Sequence, residues 1–359
     1  GGPPVPEFAV AALHPPRAGW EEEFRALGPA FIRFSSGTTG ERKGVVLSHR
    51  RLRERVIAAN ANMRIGRGDR VLWVLPMSHH FAVSIMLYLW HGAACVIGGP
   101  NLPGDLLKRA ARTAASVYYA APYHYQLLAE CAGSGGPGGD CRLAVSTASP
   151  LDPEVAARFR ERFGTPVSQA LGMIEVGLPC INTDDPHGRP ASVGRPQPDY
   201  RIRLRGGDGD RSGELLVRGP GMFDAYLDPW LPAADALDDG WFASGDIGTL
   251  DSGGFLTING RANSVINVAG MKVFPEEIEQ VLLRHPQVRD ARVSARPHAS
   301  FGSVPVAEIV PRHTADPPSD SALAMFCRNR LARYKLPAAY LNTHAIPRTA
   351  SGKIARAES

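Results

Sequence analysis

Residues 34–44, FSSGTTGERKG, combine four hydroxyl side chains, three glycines and a single lysine, Lys43. Glycines let backbone N–H groups approach a phosphate, hydroxyls add hydrogen-bond donors, and a lysine supplies positive charge. A Walker-A loop needs four residues between its first glycine and Gly-Lys-Ser/Thr, and this spacing fails here, which argues against a P-loop NTPase. The segment is therefore either another kind of phosphate-binding loop or a polar surface turn.

The composition limits the classes of partner. The chain has 359 residues, a net charge of +5 and only five lysines among its 40 basic residues. That length predicts two or more domains. The positive charge is scattered and not interleaved with aromatic residues, so nucleic-acid binding is not expected. Five cysteines without a CxxC pair predict neither a disulfide framework nor a zinc site, and favour a reducing, cytoplasmic location.

The most apolar stretch, residues 81–99, is interrupted by His91 and Gly92. It is shorter than the ~20 uninterrupted apolar residues that a membrane span needs. We expect a buried helix followed by a buried strand, and no membrane association.

Short apolar runs alternate with helical periodicity from about residue 30. Four runs predict buried strands, at residues 71–77, 94–98, 116–122 and 142–148. Between the phosphate-loop candidate and the first run, Ser48 is a candidate N-cap for a helix with Leu52, Val56, Ile57 and Met63 on its apolar face. Residues 151–164 predict another helix, with an Asp cap, an early proline and a final glycine. Strand–helix alternation predicts α/β layers with parallel strands.

The pattern changes twice further along the chain. From about residue 190, short alternating segments broken by Gly and Asp predict a small antiparallel β subdomain. Near residue 260 an amphipathic helix, two strands and a further helix predict a compact α+β domain. The domain hypothesis is therefore an N-terminal core over 1–260, made of α/β layers (31–190) and a β subdomain (191–260), followed by a small mobile domain over 261–359.

Five segments, in order, carry a resemblance to a known family. They are FSSGTTGERKGVVLSHR (34–50), GELLVRGPGMFDAYLD (213–228), WFASGD (241–246), GRANSVINVAGMKVFPEEIE (260–279) and IPRTASGKI (346–354). Together they resemble the phosphate loop, intermediate motif, ribose motif, hinge and lysine loop of the adenylate-forming superfamily, which comprises acyl- and aryl-CoA ligases, peptide-synthetase adenylation domains and luciferases. The resemblance covers nearly all of residues 31–356.

The resemblance implies a two-step reaction. A carboxylate attacks the α-phosphate of ATP to give acyl-AMP and pyrophosphate, with Mg²⁺ as cofactor, and a thiol then displaces AMP. The thiol would belong to coenzyme A or to the phosphopantetheine arm of an acyl carrier protein. Because no acidic residue stands where relatives bind an ammonium group, an aryl or short acyl acid is expected as the substrate rather than an amino acid.

The resemblance also implies roles for single residues. Lys353 would bridge the carboxylate and the α-phosphate, and Glu175 would be the catalytic, Mg²⁺-linked glutamate. Asp246 would accept hydrogen bonds from the ribose hydroxyls. Arg261 would contact ribose or phosphate, or else form an interdomain salt bridge. The full nucleotide-binding set is Ser35, Ser36, Gly37, Thr38, Thr39, Gly40, Lys43, Gly172, Met173, Asp246 and Arg261.

The acid pocket and the hinge follow from the same resemblance. The expected pocket residues are His79, His80, Phe81, Ala148, Ala170 and Gly172. His79 would be either a catalytic residue or a wall of the pocket. Ala170 replaces a common glycine, and its methyl group would shorten the cavity. Asn263 is the expected hinge, and Gly270 would let the thiol arm approach the backbone.

Two departures and a short front leave alternatives open. Leu171 and Ile174 replace an aromatic residue and a threonine, so a degenerate homologue that binds nucleotide or acid without efficient turnover is the alternative to an active ligase. Only about thirty residues precede the phosphate loop, where relatives have more than a hundred. Either the sequence is shortened, or a homodimer or partner covers the sheet edge that this leaves exposed.

Overall fold

The structure is a computed structural model that describes residues 19–36, 42–75, 80–97, 103–131, 141–206, 211–348 and 354. Its α-helices are α1 Glu21–Ala26, α2 His49–Ala59, α3 Met86–Trp90, α4 Pro103–Thr113, α5 Pro122–Glu130, α6 Pro153–Phe163, α7 Ala233–Ala236, α8 Pro275–Leu283 and α9 Asp320–Arg328. A π-helical turn, Phe81–Ile85, leads into α3, and 3₁₀ turns lie at Ala262–Ser264 and Arg333–Lys335.

The strands form four sheets. In chain order they are β1 Pro29–Ser36, β2 Arg42–Ser48, β3 Arg70–Trp73, β4 Ala94–Ile97, β5 Val117–Ala120, β6 Leu143–Ser146, β7 Val167–Met173, β8 Gly177–Ile181, β9 Arg201–Gly206, β10 Ser212–Arg218, β11 Ala225–Tyr226, β12 Leu231–Pro232, β13 Phe242–Leu250, β14 Leu256–Arg261, β15 Ile266–Val268, β16 Met271–Val273, β17 Val288–His298, β18 Gly302–Pro311 and β19 Ala339–Asn342.

The largest sheet has the order β4-β3-β5-β6-β7-β8, with β8 antiparallel and every other neighbouring pair parallel. Successive residues of β3 point to opposite faces: Val71 and Trp73 enter one buried cluster, while Leu72 enters another. Helices α2 and α3 contribute to the first cluster, and α4, α5 and α6 to the second. A parallel sheet covered on both faces is what strand–helix alternation predicts, and the prediction is confirmed.

Helix α2 starts as its sequence predicts, because the Ser48 hydroxyl accepts a hydrogen bond from the Arg51 N–H at 3.2 Å. Its buried face differs from the prediction. Ile57 is 47% exposed, whereas Arg55 is fully buried. The predicted apolar face was therefore wrong at Ile57, since the helix turns its 52–55–56–59 stripe inward. Helix α6 has the predicted cap at Asp152 and ends at Gly164, whose φ is +75°.

Two further sheets of the chain are antiparallel. The first has the order β1-β2-β11-β12, and the second β14-β13-β10-β9. The second lies in the region where the sequence predicts a small β subdomain, and confirms its antiparallel character. Strands β1 and β2 form a hairpin whose last described pair is Ser36 and Arg42.

The C-terminal region is α+β as predicted. Its sheet has the order β16-β15-β18-β17, with β19 parallel to β18. Helices α8 and α9 pack on this sheet in one apolar cluster. An ion pair joins it to the large sheet's layer, with Arg284 Nε 2.9 Å from Asp152 Oδ2. The boundary at residue 261 and the mobility of this region stay predictions.

In the described part of the chain, no helix combines the length and the apolar character that crossing a membrane requires. Residues 81–97 form a helix and a strand in the predicted order. The prediction that both are buried was wrong, because Leu89, Trp90 and Ile97 are each more than half exposed. All five cysteines are free thiols.

Candidate nucleotide and acid site

The phosphate-loop candidate lies at the end of the β1–β2 hairpin. Gly37, Thr38, Thr39 and Gly40 lie outside the described residues, as do the side chains of Ser35 and Ser36. The lysine of the motif is placed: Lys43 Nζ lies 5.2 Å from the centroid of the Tyr226 ring, a cation–π contact. Tyr226 is held there because β11 pairs with β2, with Tyr226 opposite Val45. Tyr226 was not predicted from the sequence.

Asp246 and Arg261 face each other on paired strands β13 and β14. Arg261 Nε lies 2.9 Å from Asp246 Oδ1, and the guanidinium also donates to the Ser244 carbonyl at 2.8 Å. The Asp246 side chain is 12% exposed and that of Arg261 is 40% exposed. The two predicted nucleotide residues thus meet within one sheet, because Arg261 ends the strand that pairs with the strand of Asp246.

Glu175 lies in the tight turn between β7 and β8. Four successive backbone carbonyls of this turn accept hydrogen bonds, each from a different donor. The donors are the Val176 N–H to Met173 at 3.2 Å, Arg55 Nη1 to Ile174 at 2.7 Å, the Phe223 N–H to Glu175 at 2.8 Å and the Tyr200 hydroxyl to Val176 at 3.4 Å. Three of these donors come from elements far away in the sequence. The backbone position of Glu175 is therefore determined by tertiary contacts.

The charges around Glu175 are mainly positive. Burial raises the pKa of the Glu175 carboxyl, and the guanidinium groups of Arg55, Arg261 and Arg33 act in the opposite direction. Burial also lowers the pKa of Arg55 to about 10, so this group keeps its charge at neutral pH. A partly buried carboxylate surrounded by cations suits a ligand that brings phosphate oxygens and a metal ion together.

The donor set can be tested against Mg²⁺. In the described ranges, no group of three or more His, Cys, Asp or Glu side chains could hold a metal ion. Mg²⁺ is commonly held by one or two carboxylates together with substrate phosphates and water. A single carboxylate at Glu175 fits that arrangement, provided that nucleotide supplies the other ligands.

The two departures from the family pattern have distinct surroundings. Ile174 is 7% exposed and packs in an apolar cluster with Val45, Leu47 and Phe223. Leu171 is partly buried against the core of the antiparallel subdomain. The side chain at position 174 thus lies in the core beneath the β1–β2 hairpin, where an apolar group is the favourable choice.

The structure places part of the predicted acid pocket. His79 lies outside the described residues. Ala170 is buried in the large sheet and Phe81 is 40% exposed. Ala148 adopts a φ of +79°, unusual for a residue with a side chain, and Gly172 is exposed. The His80 ring lies 5.3 Å from Trp73 in an aromatic group, unpredicted from the sequence, that also contains Tyr88 and Tyr119.

The hinge and thiol-channel candidates are both exposed. Asn263 lies in the 3₁₀ turn Ala262–Ser264 without a positive φ. Gly270 has a φ of +87° and forms, with Ala269 at +49°, the two-residue turn between β15 and β16. Positive φ at both positions is typical of a hairpin turn and explains the glycine without any ligand. Both functional roles stay predictions.

Lys353 lies outside the described residues, but its neighbourhood is partly defined. Ile354 forms an isolated β-bridge with Arg348, so the described residues on either side of the lysine position pair with each other. Arg348 in turn forms an ion pair with Asp290 on β17 at 2.7 Å. Arg348 and Ile354 are thereby linked to the C-terminal sheet.

Comparison with known proteins agrees with this arrangement. The family model described as AMP-binding enzyme matches residues 7–227, and the model of its C-terminal domain matches residues 277–353. The chain belongs to the AMP-binding enzyme family. Two family models in this order also match the expected sequence of a core followed by a smaller α+β region.

Relatives within the AMP-binding enzyme family include CoA ligases. The chain is 31% identical over 363 residues to sulfoacetate–CoA ligase of Cupriavidus necator, covering 98% of this chain and 69% of the relative. It superimposes with a TM-score of 0.79 and 29% identity on o-succinylbenzoate CoA synthetase from Bacillus subtilis, solved with its acyl-adenylate intermediate, covering 90% of this chain and 67% of that one.

A further solved structure, the amide bond synthetase McbA from Marinactinospora thermotolerans, gives a TM-score of 0.78 at 29% identity and covers 91% of this chain and 68% of that one. The chain therefore spans about two thirds of the length of these AMP-binding enzymes.

Proposed function

We propose that this AMP-binding enzyme activates an aryl or acyl carboxylic acid by forming an acyl-adenylate, and then transfers the acyl group to a pantetheine thiol. The observation that carries the proposal is a series of neighbouring groups. Lys43 lies against the Tyr226 ring, Glu175 lies within electrostatic reach of both Tyr226 and Arg261, and Arg261 pairs with Asp246. These residues are remote in the sequence and coincide with the nucleotide-binding motifs of the family.

The proposed reaction depends on neutralising and stabilising negative charge more than on covalent catalysis. The carboxylate of the acid and the triphosphate of ATP are both anions, and charge spreads over the phosphoryl oxygens in the transition state. In this proposal Lys43 binds phosphate, Asp246 binds the ribose hydroxyls, and Lys353 lies between the two reactants. Glu175 would hold Mg²⁺ together with the nucleotide. The metal ion would neutralise part of the phosphate charge.

Active turnover is preferred over the degenerate alternative for a structural reason. Ile174, which replaces the threonine common in the family, packs in the apolar core and is not part of an exposed polar surface. Because position 174 faces the core, the absence of a threonine hydroxyl there removes no exposed hydrogen-bond donor from the site. The charged residues Glu175 and Asp246 are both retained at the site.

The substrate and acceptor classes are inferred from chemistry. The preference for an aryl or acyl acid rests on the absence of an acidic residue where relatives bind an ammonium group. The stacked Trp73 and Tyr119 rings, 5.3 Å apart, lie beside His80 in the buried core and provide an apolar surrounding for it. Coenzyme A and an acyl carrier protein present the same thiol, so either is compatible with the proposal. McbA, as its name states, is an amide bond synthetase, which makes an amine the acceptor to test against a thiol.

The large sheet ends at β4, and this edge bears apolar side chains. Ile97 of β4 is 55% exposed, and Leu89 and Trp90 of the preceding helix α3 are 56% and 55% exposed. Exposed apolar sheet edges promote association. A second copy of the chain or a partner polypeptide would cover this edge, and light scattering after size-exclusion chromatography distinguishes a homodimer from a monomer.

The deciding experiment is acid-dependent ATP–pyrophosphate exchange across aryl, fatty and amino acids, with hydroxylamine to trap the acyl-adenylate. We expect exchange with at least one aryl or acyl acid, and its loss in Lys353→Ala. Lys108→Ala is the matched control, because Lys108 is exposed on α4. Exchange that survives Lys353→Ala would refute the role of that lysine, and no exchange with any acid would favour the degenerate homologue.

A further inference from the structure

Arg55 on α2 is fully buried, which is rare for an arginine. All three of its described hydrogen bonds go to backbone carbonyls. Nε and Nη2 donate to the Gly221 carbonyl at 2.9 and 2.7 Å, and Nη1 donates to the Ile174 carbonyl at 2.7 Å. One guanidinium thus joins two loops that lie 119 and 166 residues away in the sequence.

The surroundings of Arg55 are shaped to admit it. Gly177 and Gly221 adopt φ values of +106° and +68°. A Cβ at Gly221 would lie 2.6 Å from the backbone of Arg55, and a Cβ at Gly177 would lie 3.1 Å from its side chain. Both glycines therefore allow α2 to approach the two loops closely.

Burying this charge would be unfavourable if packing were its only purpose. In the described part of the chain, Arg55 forms no ion pair with a carboxylate, while Glu175 and Asp224 are near enough to stabilise its charge electrostatically. An apolar side chain would fill the volume without a desolvation cost. The distinctive property of the guanidinium is that its fork binds two separated carbonyls at once.

The connection reaches two residues assigned to the nucleotide site, Lys43 and Glu175. Helix α2 continues directly from β2, the strand that carries Lys43. The adjacent Glu54 accepts a hydrogen bond from the Gly221 N–H at 3.2 Å, so α2 contacts the 219–222 loop twice. The Ile174 carbonyl that Arg55 binds belongs to the residue next to Glu175.

We infer that Arg55 is a positioning residue for the reaction. Its hydrogen bond connects helix α2, which follows the phosphate-loop strand β2, to the turn that contains Glu175. Arg55 would thereby hold the Glu175 carboxylate where Mg²⁺ and nucleotide would meet. The inference rests on the proposed function of the site. Arg55 touches no reactant, and its effect is exerted through Glu175.

The test uses Arg55→Met, Arg55→Lys and the control Arg53→Met, which alters an exposed arginine two residues away on the same helix. Hydrogen–deuterium exchange followed by mass spectrometry reports on the segments 171–178 and 219–224. We expect amide exchange there to be at least tenfold faster in Arg55→Met, intermediate in Arg55→Lys and unchanged in Arg53→Met.

The functional readout is the Mg²⁺ concentration that gives half-maximal ATP–pyrophosphate exchange. We expect this concentration to rise at least tenfold in Arg55→Lys and further in Arg55→Met, with Arg53→Met at the wild-type value. Should Arg55→Met not fold, Arg55→Lys alone decides. Unchanged amide exchange in the two segments overturns the inference, and so does faster amide exchange with an unaltered Mg²⁺ midpoint, because that outcome describes a purely structural residue.

Failure of the proposed function can be told apart from failure of this inference. If the wild type shows no exchange with any acid, calorimetric binding of ATP at several Mg²⁺ concentrations replaces the activity readout. A weaker Mg²⁺ dependence of ATP affinity in Arg55→Lys than in wild type then supports the role of Arg55 while the ligase proposal falls. A wild type whose ATP binding is absent or independent of Mg²⁺ overturns both.

Discussion

The Glu175 turn and the Asp246–Arg261 pair represent two ways of presenting a carboxylate to a nucleotide. In the turn, four successive backbone carbonyls accept hydrogen bonds, three of them from donors elsewhere in the chain, including the buried Arg55. In the pair, the carboxylate itself is bound, by an arginine that is 40% exposed on the neighbouring strand.

The difference separates a fixed group from an exchangeable one. The turn cannot move without breaking hydrogen bonds in the interior, where lost partners are costly. A partly exposed ion pair contributes little to stability, so a ribose hydroxyl can replace one of its contacts at small cost. Substitutions in the Asp246–Arg261 pair should therefore reduce activity more than stability. Substitutions that disturb the packing of the Glu175 turn should reduce the free energy of unfolding more strongly.

The largest effect is expected from Asp246→Ala. The substitution removes the proposed acceptor for ribose hydroxyls, and hydrogen bonds to charged groups contribute about 1.5–3 kcal/mol. ATP–pyrophosphate exchange should fall about a hundredfold, mainly through a higher KM for ATP, since 1.4 kcal/mol corresponds to a factor of about ten. The free energy of unfolding should change by less than about 1 kcal/mol.

Asp238→Ala is the matched control for that experiment. Asp238 also pairs with an arginine, Arg205 at 2.9 Å, but this pair is exposed and neither residue belongs to the predicted nucleotide-binding set. Exchange should remain at the wild-type rate in this variant. An Asp246→Ala enzyme with an unchanged KM for ATP would contradict the ribose assignment.

A second prediction concerns the fixed region. Ile174→Thr would restore the residue type that relatives carry, but it would bury a hydroxyl beside Val45, Leu47 and Phe223. We expect the free energy of unfolding to fall by about 2 kcal/mol, from lost apolar burial and an unsatisfied polar group. Denaturant titration measures this loss, and exchange activity should not increase.

Ile57→Thr on the exposed face of α2 is the control, with an expected change within about 0.5 kcal/mol. A tenfold or greater gain of activity in Ile174→Thr would instead mean that this side chain reaches the phosphates.

The smallest effect is a pH dependence at Glu175. Because burial raises the pKa of this carboxyl in the folded chain, the folded state retains a proton that the unfolded state loses as pH rises through about 4.3. Ionisation of Glu175 therefore lowers stability above that pH. The free energy of unfolding of Glu175→Gln should therefore exceed that of the wild type at pH 7, and the difference should vanish at and below about pH 4.

Urea titrations between pH 4 and pH 8 measure this dependence. Glu161→Gln, on the exposed surface of α6, should show no comparable gain at pH 7. A Glu175→Gln variant less stable than wild type at pH 7 would indicate that the surrounding arginines outweigh the cost of burial.

Much of the fold could be predicted because its signals are local. Ser48 and Asp152 cap the helices that they precede, and the apolar runs at β3, β5 and β6 form buried parallel strands. The family resemblance made Lys43, Glu175 and Asp246 candidates for the nucleotide site, and their roles stay predictions. The structure brings Asp246 and Arg261 to one strand pair.

The residues that could not be predicted correctly from the sequence are those whose surroundings are formed by segments far away along the chain. Arg55 lies on the apolar stripe of α2, at the spacing of Leu52, Val56 and Ala59, and an arginine there was the signal that could have identified it. Ile57 was placed on the wrong side because the width of a buried helix face depends on what packs against it.

The sequence by itself determined the alternation of strands and helices, the caps, and the family motifs with the chemistry they imply, since these depend on neighbouring residues and on residue type. The tertiary structure alone decided that a buried arginine binds the turn of Glu175 and that Arg261 pairs with Asp246. The physical reason is that every residue has a backbone carbonyl to accept a hydrogen bond. The packing of the chain therefore determines which carbonyls accept hydrogen bonds from the Arg55 guanidinium, and no pattern of side chains in the sequence specifies them.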